Sequence, residues 1–532
     1  MALGLAQFPA TIAQAQITPG SVQDSIGTGK AQLPVTPPKV LLPVQPAPSQ
    51  HDPRARRFRV NAFNMSGNTV YRERLLKTLL ERYVDMELNL HDLSRAADTI
   101  TTYYHDHGYT LARAFIPPQK VENGVVNIHI VEGRIGRVSF AGNHRYSPAF
   151  LTARTGLLAP GSLVTTDRLE NNMLLLNDLP GVSAKAVLTP GADIGTTDAE
   201  IQVEERLFSG SLGINNHGRK ETGRNRVEAS LSINSPFGWG DQLALSASST
   251  QHELVRYWRA GYSAPVNSIG TRISVGSSKA AYDVSGAMAK LGLSGEVTNT
   301  ELALSHPLVR TRDDSRTLSL TLRRTHLVQN ALGVELSDER LSVMTAALQF
   351  VRIHPDASLT NGMLGLSTNF KSGNTAAKQD AVRARMELDI NHTAPLYQRW
   401  DLYLRGNFMY SGEMLPDTEK FSLGGPGSVR AFRPSEVRGD SGSLVTVELR
   451  RPFSIGSKIG SFRVNLDAGE AIYKMPGHRD SHTHLRSVGI GASLYPAKGM
   501  VASIDLARPV GPVPASADGE NHRLWVNVSA GF

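Results

Sequence analysis

From residue 207 to 532 apolar and polar positions alternate at a period of two, and almost nothing reads as helix. Val227, Ala229, Leu231 and Ile233 are separated by Glu228, Ser230 and Ser232, and Leu318, Leu320 and Leu322 by Ser319 and Thr321. Val445, Val447 and Leu449 flank Thr446 and Glu448 in the same way. This pattern writes a sheet with one apolar and one polar face. A soluble sandwich shows it too, but the length of the region decides between them. At about 20 residues per strand and turn it holds roughly 16 strands of the length a tilted transmembrane strand needs. The expectation is a mainly β chain ending in a 16-stranded antiparallel transmembrane β-barrel over residues 207–532. Its polar positions, Arg323 and Glu448 among them, then face a water-filled lumen.

Ahead of the barrel the period changes. Leu90, Leu93, Ala97, Ile100 and Tyr104 recur at spacings of three and four, one face of a helix, and Gly108 follows as a residue able to end it. A strand over residues 58–63, a helix over 70–83 and strands over 110–116 and 125–132 complete a βααββ unit spanning residues 58–133. The order then repeats over 134–206. A strand precedes the Gly142-Asn143 turn, helices run over 147–154 and 166–177, and strands over 182–188 and 199–205. Two tandem copies form an internal repeat, and small α+β modules strung together more often bind than catalyse.

Residues 1–16 end on Ala13-Gln14-Ala15, the small-x-small pattern of a secretory cleavage site, and read as a partial signal peptide. Residues 17–57 carry Pro34, Pro37, Pro38, Pro43, Pro46, Pro48 and Pro53 and read as a Pro-rich linker or plug segment. Such a composition builds no core. Gly27-Thr28-Gly29-Lys30 lacks the preceding strand and the spacing of a phosphate loop.

With a mean hydropathy of −0.22 and no long uncharged apolar stretch, the chain is no helical membrane transporter. The absence of cysteine removes disulfides, thiolate metal sites and cysteine nucleophiles. The net charge of +8 is spread along the chain rather than gathered in a patch, which speaks against nucleic acid. His105-Asp106-His107 and His482-Thr483-His484 lack the spacing of metal ligands, and no Gly-x-Ser-x-Gly elbow appears. No enzyme and no cofactor are expected.

The module order and its Gly-Asn turns resemble the polypeptide-transport-associated (POTRA) repeat, which sits in the periplasm before an outer-membrane barrel. The terminal strand, Leu524 to Gly531 followed by Phe532, resembles the assembly signal of bacterial outer-membrane barrels. Phe421 to Phe432, with three glycines and a proline before Val429-Arg430-Ala431-Phe432, resembles the tip of the lumen-inserting loop of the outer-membrane assembly and secretion superfamily. Ala431 stands where that motif has glycine. Val464 to Gly469 resembles the barrel strand whose aspartate, here Asp467, meets that arginine. The resemblance implies that Arg430 and Asp467 lock the loop in the lumen, through two parallel hydrogen bonds if the pair is bidentate. The entry hairpins, residues 210–224 and 235–241, look like those of two-partner secretion transporters (the hemolysin activator/secretion protein family, ShlB/FhaC type), as does the count of two modules.

Membership implies export of a large β-helical exoprotein, recognised through its N-terminal secretion domain, across the bacterial outer membrane. Outer-membrane lipid and the barrel-assembly machinery are the other implied partners. The exoprotein would add a strand to a module edge, with residues 182–188 and 110–116 as candidate edges. The alternative is an assembly factor of the same superfamily, which inserts barrels rather than exporting cargo. A passive porin needs no modules like residues 58–206.

Overall fold

The computed structural model describes residues 17–26, 40–41, 57–370, 383–475, 477–514 and 518–532. The leader expected over residues 1–16 and the Gly27 to Lys30 segment lie outside them. Contacts divide the described chain into two compact units. Of the described residues, one holds 17–26, 207–309, 313–370, 383–475, 477–514 and 518–532, the other 40–41, 57–206 and 310–312.

In the first unit 16 antiparallel strands close into a barrel, as the alternation predicts. Closure is made by the first strand, Phe208–Asn215, and the last, Arg523–Gly531, in register from Ser211 opposite Gly531 to Asn215 opposite Asn527. Phe532 extends this ladder. Its N–H donates to the Gly210 carbonyl and its carbonyl accepts from the Gly210 N–H, both at 3.0 Å. Leu212, Ile214, Leu466, Ile490, Leu506, Leu524 and Val526 lie exposed on the outer wall, where a bilayer replaces water.

Between strands Asp401–Ser411 and Ser441–Ile455, residues 412–440 turn back onto the inward-facing side of the wall. Phe421–Leu423 pairs there with Val437–Gly439. Leu415, Leu423, Val429, Ala431, Phe432 and Val437 are buried against the barrel residues Met409, Leu444, Ala471, Leu485 and Ala507. Helix α1, Pro19–Ser25, belongs to the same unit. Residues 17–57 were expected to build no core, yet Ile17, Val22 and Ile26 are buried with Val255, Ala280 and Tyr282. The local signals for this helix are an N-cap threonine, Thr18, closing a capping box with Ser21, and Pro19 in the first turn. The prolines that follow outweigh those signals when composition is averaged.

The second unit holds the two modules. In the first, Ala62–Ser66, Val125–Val131 and Arg113–Phe115 form a sheet with Val125–Val131 central. Helices α2 (Glu73–Leu79) and α3 (Leu90–Asp106) cover it, burying Leu76, Leu93, Ala97, Ile100 and Tyr104 on Phe63, Val126, Ile128 and Ile130. The strand expected over 58–63 breaks at Asn61 into Phe58–Val60 and Ala62–Ser66, because Asn61 turns its N–H to the Gly124 carbonyl. The helix expected over 70–83 starts at Glu73 and closes in the 3-10 turn Glu81–Tyr83, and the strand expected over 110–116 shrinks to Arg113–Phe115.

The second module orders its sheet Val40–Leu41, Val182–Pro190, Thr196–Glu205, Arg134–Ala141, with α4 (Pro148–Arg154) and α5 (Thr166–Asn177). The two modules share one construction. Gly67-Asn68 and Gly142-Asn143 take positive φ at the glycine (85° and 81°), and each asparagine amide donates to a tyrosine carbonyl three residues on, at 2.9 Å. A Cβ at either glycine would come within 2.1 or 2.5 Å of the carbonyl of Ile130 or Val203. Glu132 and Glu205, just beyond or at the end of each module's last strand, accept the N–H groups that follow these turns.

Candidate functional site

The loop of residues 421–439 is shaped by its glycines. Gly424 and Gly425 sit at φ 104° and 98°, and a Cβ at Gly424 would come 2.2 Å from the Arg433 carbonyl. Gly425 donates to the Phe432 carbonyl at 3.0 Å and Phe432 to that of Val429 at 3.2 Å, so the tip folds into a tight turn. Ala431 is not among the residues of positive φ. An alanine in place of the motif's glycine therefore carries no backbone strain here.

Val429, Arg430, Ala431 and Phe432 are all buried. The Arg430 guanidinium and Asp467 are brought together, but not as the expected bidentate pair: one Nη2–Oδ1 approach of 3.4 Å is all they share through side chains. The close partner of Arg430 Nη2 is Glu448, whose other oxygen takes Arg450 Nε at 2.7 Å. The reason lies in the crowding of Asp467. Its carboxylate already accepts from Thr446 Oγ1 (3.0 Å), Asn465 Nδ2 (3.0 Å), Ser487 Oγ (2.9 Å) and the Arg430 backbone N–H (3.3 Å). Trp525 Nε1 donates to the Arg430 carbonyl at 2.8 Å, and Arg523 Nε to that of Ala431 at 3.4 Å. The tip is thus held through side chain and backbone alike.

A second fastening ties the loop to α1. Arg438 reaches Asp24 of the helix at 2.9 Å, Asp417 at 2.5 Å and Thr18 Oγ1 at 3.2 Å. The Gly20 N–H donates to Asp417 Oδ2 at 2.8 Å, and Ser435 Oγ to the Ser21 carbonyl at 3.2 Å. A third uses Glu419, which accepts Arg385 at 3.0 Å and also meets Arg323. Sequence reasoning placed Glu448 and Arg323 in the lumen but missed their partners, and it missed Trp525, Arg438, Asp417 and Asp24. One signal was available, since Val437-Arg438-Gly439 repeats the apolar-Arg-small pattern of the tip within the same loop. His105 and His107 spend ring nitrogens on the carbonyls of Ala112 (2.8 Å) and Tyr103 (2.7 Å), and His482 on Glu470 (2.7 Å).

The arrangement is a barrel whose inner wall is ion-paired to a loop through Arg430 and Glu419, with the loop in turn ion-paired to a helix through Arg438. The sequence profile of the haemolysin secretion/activation protein ShlB/FhaC/HecB family matches residues 195–494, and that of the ShlB-type POTRA domain residues 58–133. The chain belongs to the ShlB/FhaC/HecB family. It is 25% identical to the heme/hemopexin transporter protein HuxB of Haemophilus influenzae (strain 86-028NP) over 477 residues, 86% of this chain and 84% of that protein. It is likewise 25% identical to the outer membrane transporter CdiB of Escherichia coli over 413 residues, 74% and 68% of the two chains. The solved structure of CdiB from Escherichia coli superposes with a TM-score of 0.75 at 21% identity, covering 97% of this chain and all of that one, and so shares its fold. This ShlB/FhaC/HecB protein is a two-partner secretion transporter of the outer membrane, with its POTRA region in the periplasm. The family consists of transporters, and its members work with a secreted exoprotein.

Proposed function

We propose that this transporter exports one large exoprotein, that the fastenings of Arg430 and Arg438 hold the lumen closed at rest, and that docking of the exoprotein's N-terminal secretion domain releases them. The observation that carries this reading is the chain of ion pairs that fastens the 421–439 loop to the wall through Arg430 and α1 to that loop through Arg438, since contacts made of a few charge pairs can be exchanged without unfolding the barrel. Neither nucleotide, metal nor bond-making chemistry enters, and no enzymatic step is needed. Phe532, continuing the closing ladder, serves as the signal read by the assembly machinery.

Docking by strand addition needs an unpaired sheet edge. Arg113–Phe115 pairs only with Val125–Val131 among the described residues, so its far side is a candidate. The other expected edge, residues 182–188, is not free. Val40–Leu41 pairs with it in parallel, Val40 opposite Ala186 and Leu41 opposite Val187. A guest strand at that edge therefore has to displace a segment of the transporter's own linker. The reading is tested by export of a candidate partner's N-terminal domain in cells with and without this chain, beside planar-bilayer conductance of the purified protein. Export that needs the chain supports it. Channels without export, in cells whose other barrels fail to assemble, overturn it.

A further inference from the structure

On the outer wall, directly behind the lock, two arginines point away from the lumen. Asp467, Ser487 and Ala507 are buried on the inner side of strands Lys458–Tyr473, Ser481–Tyr495 and Met500–Pro509. Alternation therefore turns Ala468, Arg486 and Arg508 outward, in line with the exposed Leu466, Ile490 and Leu506. Ala468 stands opposite Arg486, while Val488 stands opposite both Leu466 and Arg508. Arg486 and Arg508 are thus diagonal neighbours on adjacent strands, a separation of roughly 7–8 Å between backbones that two long side chains close easily. Neither guanidinium has a partner among the described residues. The nearest outward carboxylate on the neighbouring strand, Glu470, is engaged by His482 at 2.7 Å and approached by His484 at 3.8 Å.

Beside them lies a recess of about 210 Å³ lined outward by Val445, Val447, Leu466, Ala468, Arg486 and Val510. Its height on the wall follows from topology. The POTRA region is periplasmic and its last strand ends at Glu205, so the chain enters the barrel at Phe208 from the periplasmic side. Counting antiparallel strands from there, Tyr495 and Met500 mark inner ends. Arg486 lies nine residues above Tyr495 and Arg508 eight above Met500. With a rise of about 3.4 Å per residue and a tilt near 40°, that is roughly 21–23 Å, close to the full height of a barrel's apolar band of about 25 Å. Both arginines therefore stand at the outer-leaflet interface, with the apolar recess beside them in the same two register rows, Val445 and Val510 with Arg486 and Val447 and Leu466 with Arg508.

Two guanidinium forks side by side without a carboxylate are matched by a phosphate, and an apolar recess beside them by a hydrocarbon chain. We propose that Arg486 and Arg508 clamp the phosphate of a phosphorylated glycolipid of the outer leaflet, one of whose acyl chains lies over Val445, Val447, Leu466 and Val510. The inference needs only that the barrel sits in the outer membrane and is independent of how the lumen is gated. The test uses the full-length chain in maltoside, incubated with diphosphoryl lipid A or with inorganic phosphate and read by native mass spectrometry. Retention of lipid A should fall at least tenfold in R486Q/R508Q and at least threefold in either single variant, with the heat-modifiable gel mobility of the folded barrel unchanged. R324Q, removing an outward arginine elsewhere on the wall, should leave retention as it is. Millimolar inorganic phosphate should not displace the lipid. Equal retention by wild type and R486Q/R508Q, an equal loss in R324Q, or displacement by free phosphate would each overturn the assignment.

Discussion

Replacing Arg430 by alanine removes the one side chain of the loop tip that reaches both Glu448 and Asp467. Breaking a buried ion pair usually costs about 3–5 kcal/mol, because the surviving charge is stranded. Here neither survivor is stranded. Glu448 keeps Arg450 at 2.7 Å, and Asp467 keeps Thr446, Asn465, Ser487 and the backbone N–H of residue 430. The Trp525 bond to the residue 430 carbonyl also remains, since it ends on backbone. The expected cost is therefore that of a hydrogen bond between charged groups, about 2 kcal/mol, or roughly thirtyfold in the balance between held and released loop. A loop released in about 1% of wild-type molecules would be released in about a quarter of the variant. The chain contains no cysteine, so a single cysteine replacing the fully buried Val429 reports release by its rate of maleimide labelling without background. Labelling should speed up about 25-fold with Arg430→Ala, in proportion to the released fraction, and bilayer recordings should show more frequent opening, while the amount of folded barrel stays the same. Unchanged labelling and unchanged conductance would refute the idea that this contact holds the loop.

Three further outcomes follow from the other contacts. Proline at both residues 40 and 41 removes the linker's ladder bonds to residues 186–187 and should raise affinity for the exoprotein's secretion domain about 5- to 30-fold, at about 1 kcal/mol per bond lost; titration of the full-length transporter with that domain reads it, and an unchanged Kd argues against competition at this edge. Phe532→Ala trims a ring that is 67% exposed, so refolded barrel stability should move by under about 0.5 kcal/mol. Its yield of assembled barrel in cells should nonetheless fall several-fold, and equal yields would sink the signal role. Burial alone would push the Glu132 carboxyl up, but hydrogen bonds from Thr69, Val70 and Tyr104 outweigh it and hold the group below the ordinary glutamate range. A carboxyl depressed on folding stabilises the module above its unfolded-state value and loses that contribution as pH falls through the folded value. Glu132→Gln should therefore cost about 2 kcal/mol at neutral pH in urea unfolding of the modules within the full chain, and much less once the wild-type Glu132 carboxyl is protonated in both the folded and the unfolded state. A cost that does not change with pH would contradict this.

What the sequence alone determined about this protein is whatever is written in neighbouring residues. Alternation at a period of two is a property of each strand by itself, so the barrel, its outward Leu466 and Leu524 and its inward Glu448 were legible before any pairing was known. The glycines at 424 and 425 and the Gly-Asn turns of both modules are equally local, since positive φ is demanded of the residue that has it. The tertiary structure decided which inward charges meet. Arg430 finds Glu448 rather than a bidentate Asp467 because strand register places Thr446, Asn465 and Ser487 around that aspartate first, and register is not contained in either strand alone. Likewise Val40–Leu41 covers a sheet edge some 145 residues further along, and Asp24 meets Arg438 more than 400 residues away. A two-residue strand and a seven-residue helix are too short to announce themselves by periodicity. Only the surfaces they bury against, assembled from distant parts of the chain, give them a place.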